Sequence, residues 1–414
     1  MAWLTATEAL SALGVQRQTL YANVSRGRIR AKPDPKDSRR SLYDGGDVKR
    51  LAGRRGGRRT VAAVAAETIG WGDPVLPSSV STVMDGRLLY RGHDAVVLSQ
   101  SATLEDVANL LWEVENVRFE SAAAKVESQN RPASPFEAAL IVLATRAGRD
   151  PPSQGRSRAV LAAEAADLVG DLATAMLGTA GRGDATLHHR MAAAWRARRA
   201  EDPLRRALVL LADHELNAST FSTRVTISTG ASLSAGLLSG LATLSGPLHG
   251  GAVMAVRALI ASAQRSDPAT AARDWIAQGR RLPAFGHPLY PQGDPRAVAL
   301  LECFTPRPIF VEMRRAAEAL IGEQPNVDFA VAALADAFDL PPLAPFTIFA
   351  IARSIGWVAH ALEQVASGAL IRPRARYTGP AYGSTRIDSD SRGLPSPQPS
   401  PASGRGRALC ASLT

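Results

Sequence analysis

Between about Thr60 and residue 383 the chain is a succession of Ala- and Leu-rich segments with helical spacing of apolar positions. This restricts the body to a nearly all-α fold. Helices are expected over Leu104 to Val114, Pro135 to Arg146, Ala159 to Leu177, Met191 to Ala200, Pro203 to Leu216 and Ser232 to Leu244. Further helices are expected from Ala252 through Ile260, and over Ala269 to Arg280, Pro308 to Ile321, Phe329 to Phe338 and Pro345 to Ser367. Strand signals are few; "VSTVMDGRLLYRG" around Asp85-Gly86 reads as a small hairpin. The chain is 46% hydrophobic but only 5% aromatic, so its core should be packed mainly by small and aliphatic side chains. A length of 414 residues suggests two or three domains. No uninterrupted apolar stretch reaches the length that spans a bilayer, and the N-terminus lacks the pattern of a secretory signal. Cys303 and Cys410 are far apart in sequence, so no disulfide framework is expected and a reducing cytoplasm is the expected compartment.

The helical pattern is broken where the chemistry-bearing residues sit. Ser245-Gly246-Pro247-Leu248-His249-Gly250-Gly251 stops one helix at its proline and precedes another. His249 is thereby held near a helix N-terminus, where partial positive charge disfavours imidazolium. A neutral imidazole there can donate a hydrogen bond to a developing oxyanion; a turn histidine between two helices is the plainer alternative. His287 lies in a second loop, Pro283 to Arg296, whose prolines and glycines rule out a regular helix. By its residue type it could equally be a turn residue satisfied by backbone. Asp328, in "PNVD" just before an apolar helix, reads first as an N-cap, which alone would explain it, with catalysis the lesser alternative.

The net charge of +10 is local, because residues 1–60 hold 14 Lys/Arg against 5 Asp/Glu. Thr5 and Glu8 form a capping box ahead of Ala9, Leu10 and Leu13, and Gly14 breaks that helix. A second short helix is expected from Gln16 to Val24, then an extended Arg28-Ile29-Arg30, a turn from Pro33 to Asp37 and a returning strand from Arg39 to Tyr43. This layout resembles the winged helix-turn-helix modules of the MerR or excisionase type. In that resemblance Gln16, Arg17, Gln18 and Tyr21 lie on the recognition helix, and Arg39 and Arg40 on the wing, facing base edges and phosphates. A basic mini-domain for protein contacts is the alternative. "GRRGGRR" after it reads as a flexible linker, and the Ser-, Pro-, Gly- and Arg-rich stretch from Ser384 reads as disordered.

Six further segments occur in a fixed order: "LADHELNASTFSTRV", "LSGPLHGGA", "AFGHPLYPQGDPRA", "PNVDF", "ARSIGWVAHALEQ" and "RPRARYTGPAY". Together, with "LLYRGHD" ahead of them, they resemble the citrate synthase family over about residues 70–383. The resemblance implies a mainly helical two-domain fold preceded by the small winged module. The implied division is 1–52 DNA-binding-like module, 53–66 basic linker, 67–249 with 336–383 large domain, 250–335 small domain and 384–414 tail. It also implies a homodimer that condenses oxaloacetate with acetyl-CoA, with no tightly bound cofactor, no metal and no membrane. Asp328 matches the base that takes a methyl proton, His249 the donor to the thioester oxygen, and His287 the group that polarises the ketone. His214, Arg296, Arg353 and Arg372 match the family's oxaloacetate contacts, with Arg372 supplied by the partner subunit. Two departures stand out. Pro291 and Gln292 occupy positions where the family often carries a base for the CoA phosphates, and the N-terminal module is absent from ordinary members. They keep two alternatives open: a 2-methylcitrate synthase that uses propionyl-CoA, and a DNA-binding regulator with a metabolite-sensing body.

Overall fold

The computed structural model describes residues 3–13, 19–20, 23–24, 29–34, 37–48, 76–120, 132–180, 185–375 and 377–380. Met1–Asp73 with Arg374–Thr414 make one compact unit and Pro74–Pro373 another.

In the first unit, helix α1 (Ala6–Leu13) begins at a reciprocal cap. The Glu8 carboxylate accepts from the Thr5 N–H at 2.8 Å, and Thr5 Oγ1 accepts from the Glu8 N–H. Strands β1 (Trp3–Leu4), β2 (Ala31–Asp34) and β3 (Asp37–Asp44) pair antiparallel with β3 central; a basic hairpin is present, but its first strand is Ala31–Asp34 rather than the expected Arg28–Arg30, and Pro33 and Asp34 lie on it rather than in the turn. Ala9, Leu13, Leu20, Ile29, Tyr43 and Val48 close a small core. Arg30 bonds Asp47 at 2.9 Å and pairs with Asp44 at 3.2 Å, fastening the hairpin to the turn after it. Gln16, Arg17, Gln18 and Tyr21, most of the expected second helix, the linker and the tail lie outside the described residues. Arg39 and Arg40 fall on β3.

The second unit opens with the hairpin of β4 (Ser81–Met84) and β5 (Arg87–Tyr90), to which β6 (His93–Asp94) adds. Asp85 and Gly86 both take positive φ, 51° and 73°, the paired left-handed geometry of a tight two-residue hairpin turn. The remainder is helical: α2 (Ala95–Leu98), α3 (Leu104–Trp112), α4 (Pro135–Ala147), α5 (Arg158–Leu177), α6 (Leu187–Ala194), α7 (Glu201–Leu211), α8 (Ala218–Ser228), α9 (Leu233–Leu244), α10 (Ala252–Arg265), α11 (Pro268–Ala277), α12 (Pro295–Leu301), α13 (Pro308–Ile321), α14 (Val327–Ala337) and α15 (Ala344–Ser367).

α15 packs against α3, α5, α7, α8 and α9. Its length and mean hydropathy (1.2) are those of a membrane span, but Arg353 and Glu363 interrupt its apolar run and 94% of that window is buried among the other helices. Its Gly356 permits the closest approach, because a Cβ there would lie 2.2 Å from Asp213 Oδ1 and 2.6 Å from the Ala212 carbonyl oxygen.

The unit holds two apolar clusters. The larger gathers β5, α3, α5, α7, α9 and α15; the smaller gathers α10, α11 and α13 around Val256, Leu259, Phe310 and Met313. α14 belongs to both: Val327, Ala330, Val331 and Leu334 face the larger cluster, and Phe329, Ala332 and Ala333 the smaller. Asp328 is therefore carried on the helix that joins the two cores.

Three sequence expectations need correction. The helix from Pro203 stops at Leu211 rather than Leu216, because Ala212 to Asn217 turn to bring His214 inward. The helix expected from Met191 to Ala200 starts at Leu187, ends at Ala194 and resumes only as a short 3₁₀ turn. α8 and α12 were not foreseen.

Candidate active site

Asp294 caps α12 with its Oδ1, which accepts from the Arg296 N–H at 3.0 Å. The same carboxylate takes the Arg296 guanidinium as a two-pronged fork, at 2.9 and 2.8 Å. Its Oδ2 also accepts from the Val327 N–H at 3.0 Å, which fixes the start of α14 against the His287 loop. That loop is laced further by Gly286 N–H to the Gln324 carbonyl (2.8 Å) and Asn326 N–H to the Ala284 carbonyl (2.9 Å). The Arg296 and Asp294 side chains are 3% and 1% exposed. Arg296 is consequently held charged, its pKa raised by Asp294 against the opposing effect of burial.

His287 accepts from the Leu289 N–H at Nδ1 (3.1 Å), so Nε2 carries the proton of the neutral ring. Burial, reinforced by Arg296, pushes its pKa down to about 4. The His287 ring stands edge-on to His214 with centroids 5.1 Å apart. His214 Nε2 lies 2.9 Å from Tyr290 Oη, and its pKa is driven well below the ordinary value by burial and then by Arg296 and Arg353.

His249 lies in the turn ahead of α10, whose N-cap is Gly251. Its Nε2 is 2.9 Å from Ser219 Oγ, which also receives the Trp357 Nε1–H at 3.1 Å and donates to Asn217 Oδ1 at 2.7 Å. Ser219 has one proton to place. Spent on Asn217, it leaves His249 Nε2 as donor; turned toward His249, it leaves Nδ1 as the protonated nitrogen. His249 is held neutral, its pKa lowered to about 4, but burial is the first cause and Arg353 the second, which replaces the helix-terminus argument from sequence.

Asp328 is not the cap of α14. Asn326 is, accepting from the Asp328 N–H at 3.0 Å. Asp328 is half-buried, but its Oδ1 is shielded from solvent and has no hydrogen-bond partner among the described residues. Burial pushes its pKa up to about 6, against the pull of Arg296 and Arg353. Arg353 is 1% exposed, and its one hydrogen bond among the described residues is Nε–H to the Leu211 carbonyl (3.0 Å). Its remaining donors are thus available to a bidentate anion.

Arg353 is the hub: it acts electrostatically on His214, His249 and Asp328, while Arg296 acts on His214, His287 and Asp328. Six of the seven sequence-selected residues come together in this way. Arg372 does not; it is exposed in the segment after α15. Sequence reasoning missed Asp294, Tyr290, Ser219 and Asn217. The "DP" pair that starts α12 and the "NAS" that starts α8 are cap signals that could have flagged two of them. A cavity of about 830 Å³ is lined by Tyr290, Pro291, Gln292, Glu302 and Arg314. Among the described residues no group of His, Cys, Asp and Glu is placed to hold a metal ion.

The family model for the citrate synthase C-terminal domain matches residues 70–374. The chain belongs to the citrate synthase family. It is 44% identical over 185 residues to a citrate synthase of Haloferax volcanii, covering 42% of this chain and 49% of that protein. That alignment thus spans about half the relative's length. Citrate synthase 2 of Bacillus subtilis is 30% identical over 351 residues, 73% of this chain and 93% of that protein. Among solved structures, the citrate synthase of Thermotoga maritima superposes with a TM-score of 0.63 at 25% identity, covering 75% of this chain and 95% of that one. The family fold therefore accounts for Pro74–Pro373, and the mainly helical reading of the sequence holds.

Asp294→Asn removes the counter-charge of a buried guanidinium while keeping its shape. It should cost about 3–5 kcal/mol of stability, read as a lowered urea midpoint with unchanged slope. An unchanged midpoint would show that Arg296 is neutralised by something else.

Proposed function

We propose that this chain condenses acetyl-CoA with oxaloacetate and, with water, yields citrate and free CoA. The observation that carries the reading is the shielded, unpartnered Oδ1 of Asp328 under the charge of two buried guanidiniums, Arg296 and Arg353, which also act on the neutral imidazoles of His287 and His249 respectively. Arg296 and Arg353 suit the two carboxylates of oxaloacetate, with His214 beside them. Asp328, as carboxylate, takes a proton from the acetyl methyl group. His249 donates to the thioester oxygen as the enolate forms, which through Nδ1 requires Ser219 to turn its proton from Asn217 to His249 Nε2. The enolate carbon attacks the ketone carbon of oxaloacetate. The Nε2–H of His287 polarises that ketone and protonates the alkoxide. Water then cleaves the citryl thioester and CoA leaves as a thiol. We assign residues 67–249 with 336–383 to a large domain and 250–335 to a small one. We also assign Arg372 to the partner's site in a homodimer, within the reducing cytoplasm that a chain with two distant cysteines fits.

For residues 1–52 we propose a winged helix-turn-helix module that binds DNA, supported by the capped α1, the antiparallel β2–β3 hairpin and the local excess of positive charge. A dimer would present two such modules to a two-fold operator.

Thiol release from acetyl-CoA should require oxaloacetate, with propionyl-CoA run in parallel to rank the two acyl donors. Asp328→Asn should lower kcat by about 10²-fold or more. Because the base must be ionised, kcat/KM should rise with pH through about 6 and level above it, while both imidazoles stay neutral above about 4. Oxaloacetate-independent release, or a rate flat across pH 5 to 7, contradicts the assignment. For the module, gel shifts with the chain's own upstream DNA should weaken with salt at a log–log slope of about −0.9 per phosphate contact. Absence of any shift at low salt removes the DNA-binding reading.

A further inference from the structure

From Asp213, next to His214 in the chain, runs a line of buried polar groups that no step above uses. Asp213 and His360 are both 0% exposed, with His360 Nε2 at 3.2 Å from Asp213 Oδ2. On its other side His360 Nδ1 faces Arg224 Nη1 at 3.3 Å. A guanidinium only donates, so Nδ1 is the acceptor and Nε2 the proton donor to Asp213. Arg224 is held in turn by Glu363 and by Gln364 Oε1 at 3.0 Å. Asp213 Oδ2 also accepts from Ser81 Oγ–H, and that same Oγ accepts from the Glu215 N–H at 2.9 Å. Both neighbours of His214 are thereby pinned. The Asp213 carboxylate rests against Gly356, one turn along α15 from Arg353, and its charge acts on that guanidinium.

We propose that His360 is a positioning residue for oxaloacetate: by donating to Asp213 it locks the Ala212–Asn217 turn to α15, setting His214 and Arg353 at the spacing that a dicarboxylate requires. Neither His360 nor Asp213 touches substrate; they act through His214 and Arg353. His249 and the Ser219 bonds lie outside this chain of hydrogen bonds, and Arg353 reaches His249 and Asp328 only electrostatically, so acyl-CoA binding should change less than oxaloacetate binding. The inference rests on the citrate synthase reading only for the identity of the dicarboxylate.

The test compares wild type, His360→Phe and His360→Gln. Phenylalanine keeps the ring and loses both polar contacts, whereas glutamine restores a donor and an acceptor. His360→Phe should raise the KM for oxaloacetate by about ten-fold or more, with the KM for acetyl-CoA within about three-fold of wild type. His360→Gln should recover most of the loss. Equal shifts in both KM values, no shift in a folded His360→Phe, or no rescue by glutamine overturns the inference. Should His360→Phe fail to fold, Ser81→Ala removes the other donor to Asp213 Oδ2 and must show the same split between substrates; an even effect overturns it. If wild type releases no thiol, the catalytic reading fails by itself. Oxaloacetate binding by calorimetry then decides the positioning role: a loss in His360→Phe recovered by His360→Gln supports it, and equal binding, or none in wild type, overturns it.

Discussion

Arg296 and Arg353 are both buried, and taking a guanidinium out of water costs several kcal/mol unless the protein returns comparable interactions. The chain answers this demand in two different ways. Arg296 is neutralised on the spot by Asp294, whose carboxylate also caps α12 and holds the first turn of α14. Arg353 has no forked partner; one carbonyl and the nearby Asp213 charge are what the chain supplies. Burial first, and then the positive charge of Arg353 on His214 and His249 and of Arg296 on His214 and His287, keeps the three imidazoles neutral; burial also raises Asp328. A site of this kind favours a doubly anionic ligand and holds a carboxylate basic enough to work near neutral pH.

The geometry follows from where α14 sits. One of its faces belongs to the larger apolar cluster and another to the smaller, so its first turn is placed by both cores. The Pro- and Gly-rich loop that bears His287 cannot order itself by helical bonding. It is ordered by backbone bonds to Gln324 and Asn326 and by Asp294, all at the entrance to α14. Asp328 and His287 are thus positioned by the same few contacts.

Much of this was legible in the sequence. The Ala- and Leu-rich helices, the Asp85-Gly86 hairpin and the Thr5–Glu8 cap follow from local patterning, and the ordered motifs singled out the residues of the cluster. What escaped did so for physical reasons. α8 is rich in Ser and Thr, poor formers in a helix interior; there Thr223 and Thr226 bond carbonyls one turn back. α12 starts at a proline inside a loop-like stretch and is revealed by its Asp cap. The Pro203 helix stops early because Asp213 and His214 are committed to buried partners across the fold, a tertiary demand that periodicity does not encode. Residue type and position alone make Asp328 look first like a helix cap, yet Asn326 holds that place. The neutrality of His249 was anticipated, but its cause is burial.

Shielding of Oδ1 from water, with no hydrogen-bond partner among the described residues, makes Asp328 a stronger base than an ordinary aspartate. The direct measurement is a ¹³C NMR titration of its carboxyl carbon in the folded protein, assigned by comparison with Asp328→Asn. An apparent pKa of about 6 is expected. A value at or below the ordinary aspartate value of about 3.9 would contradict it.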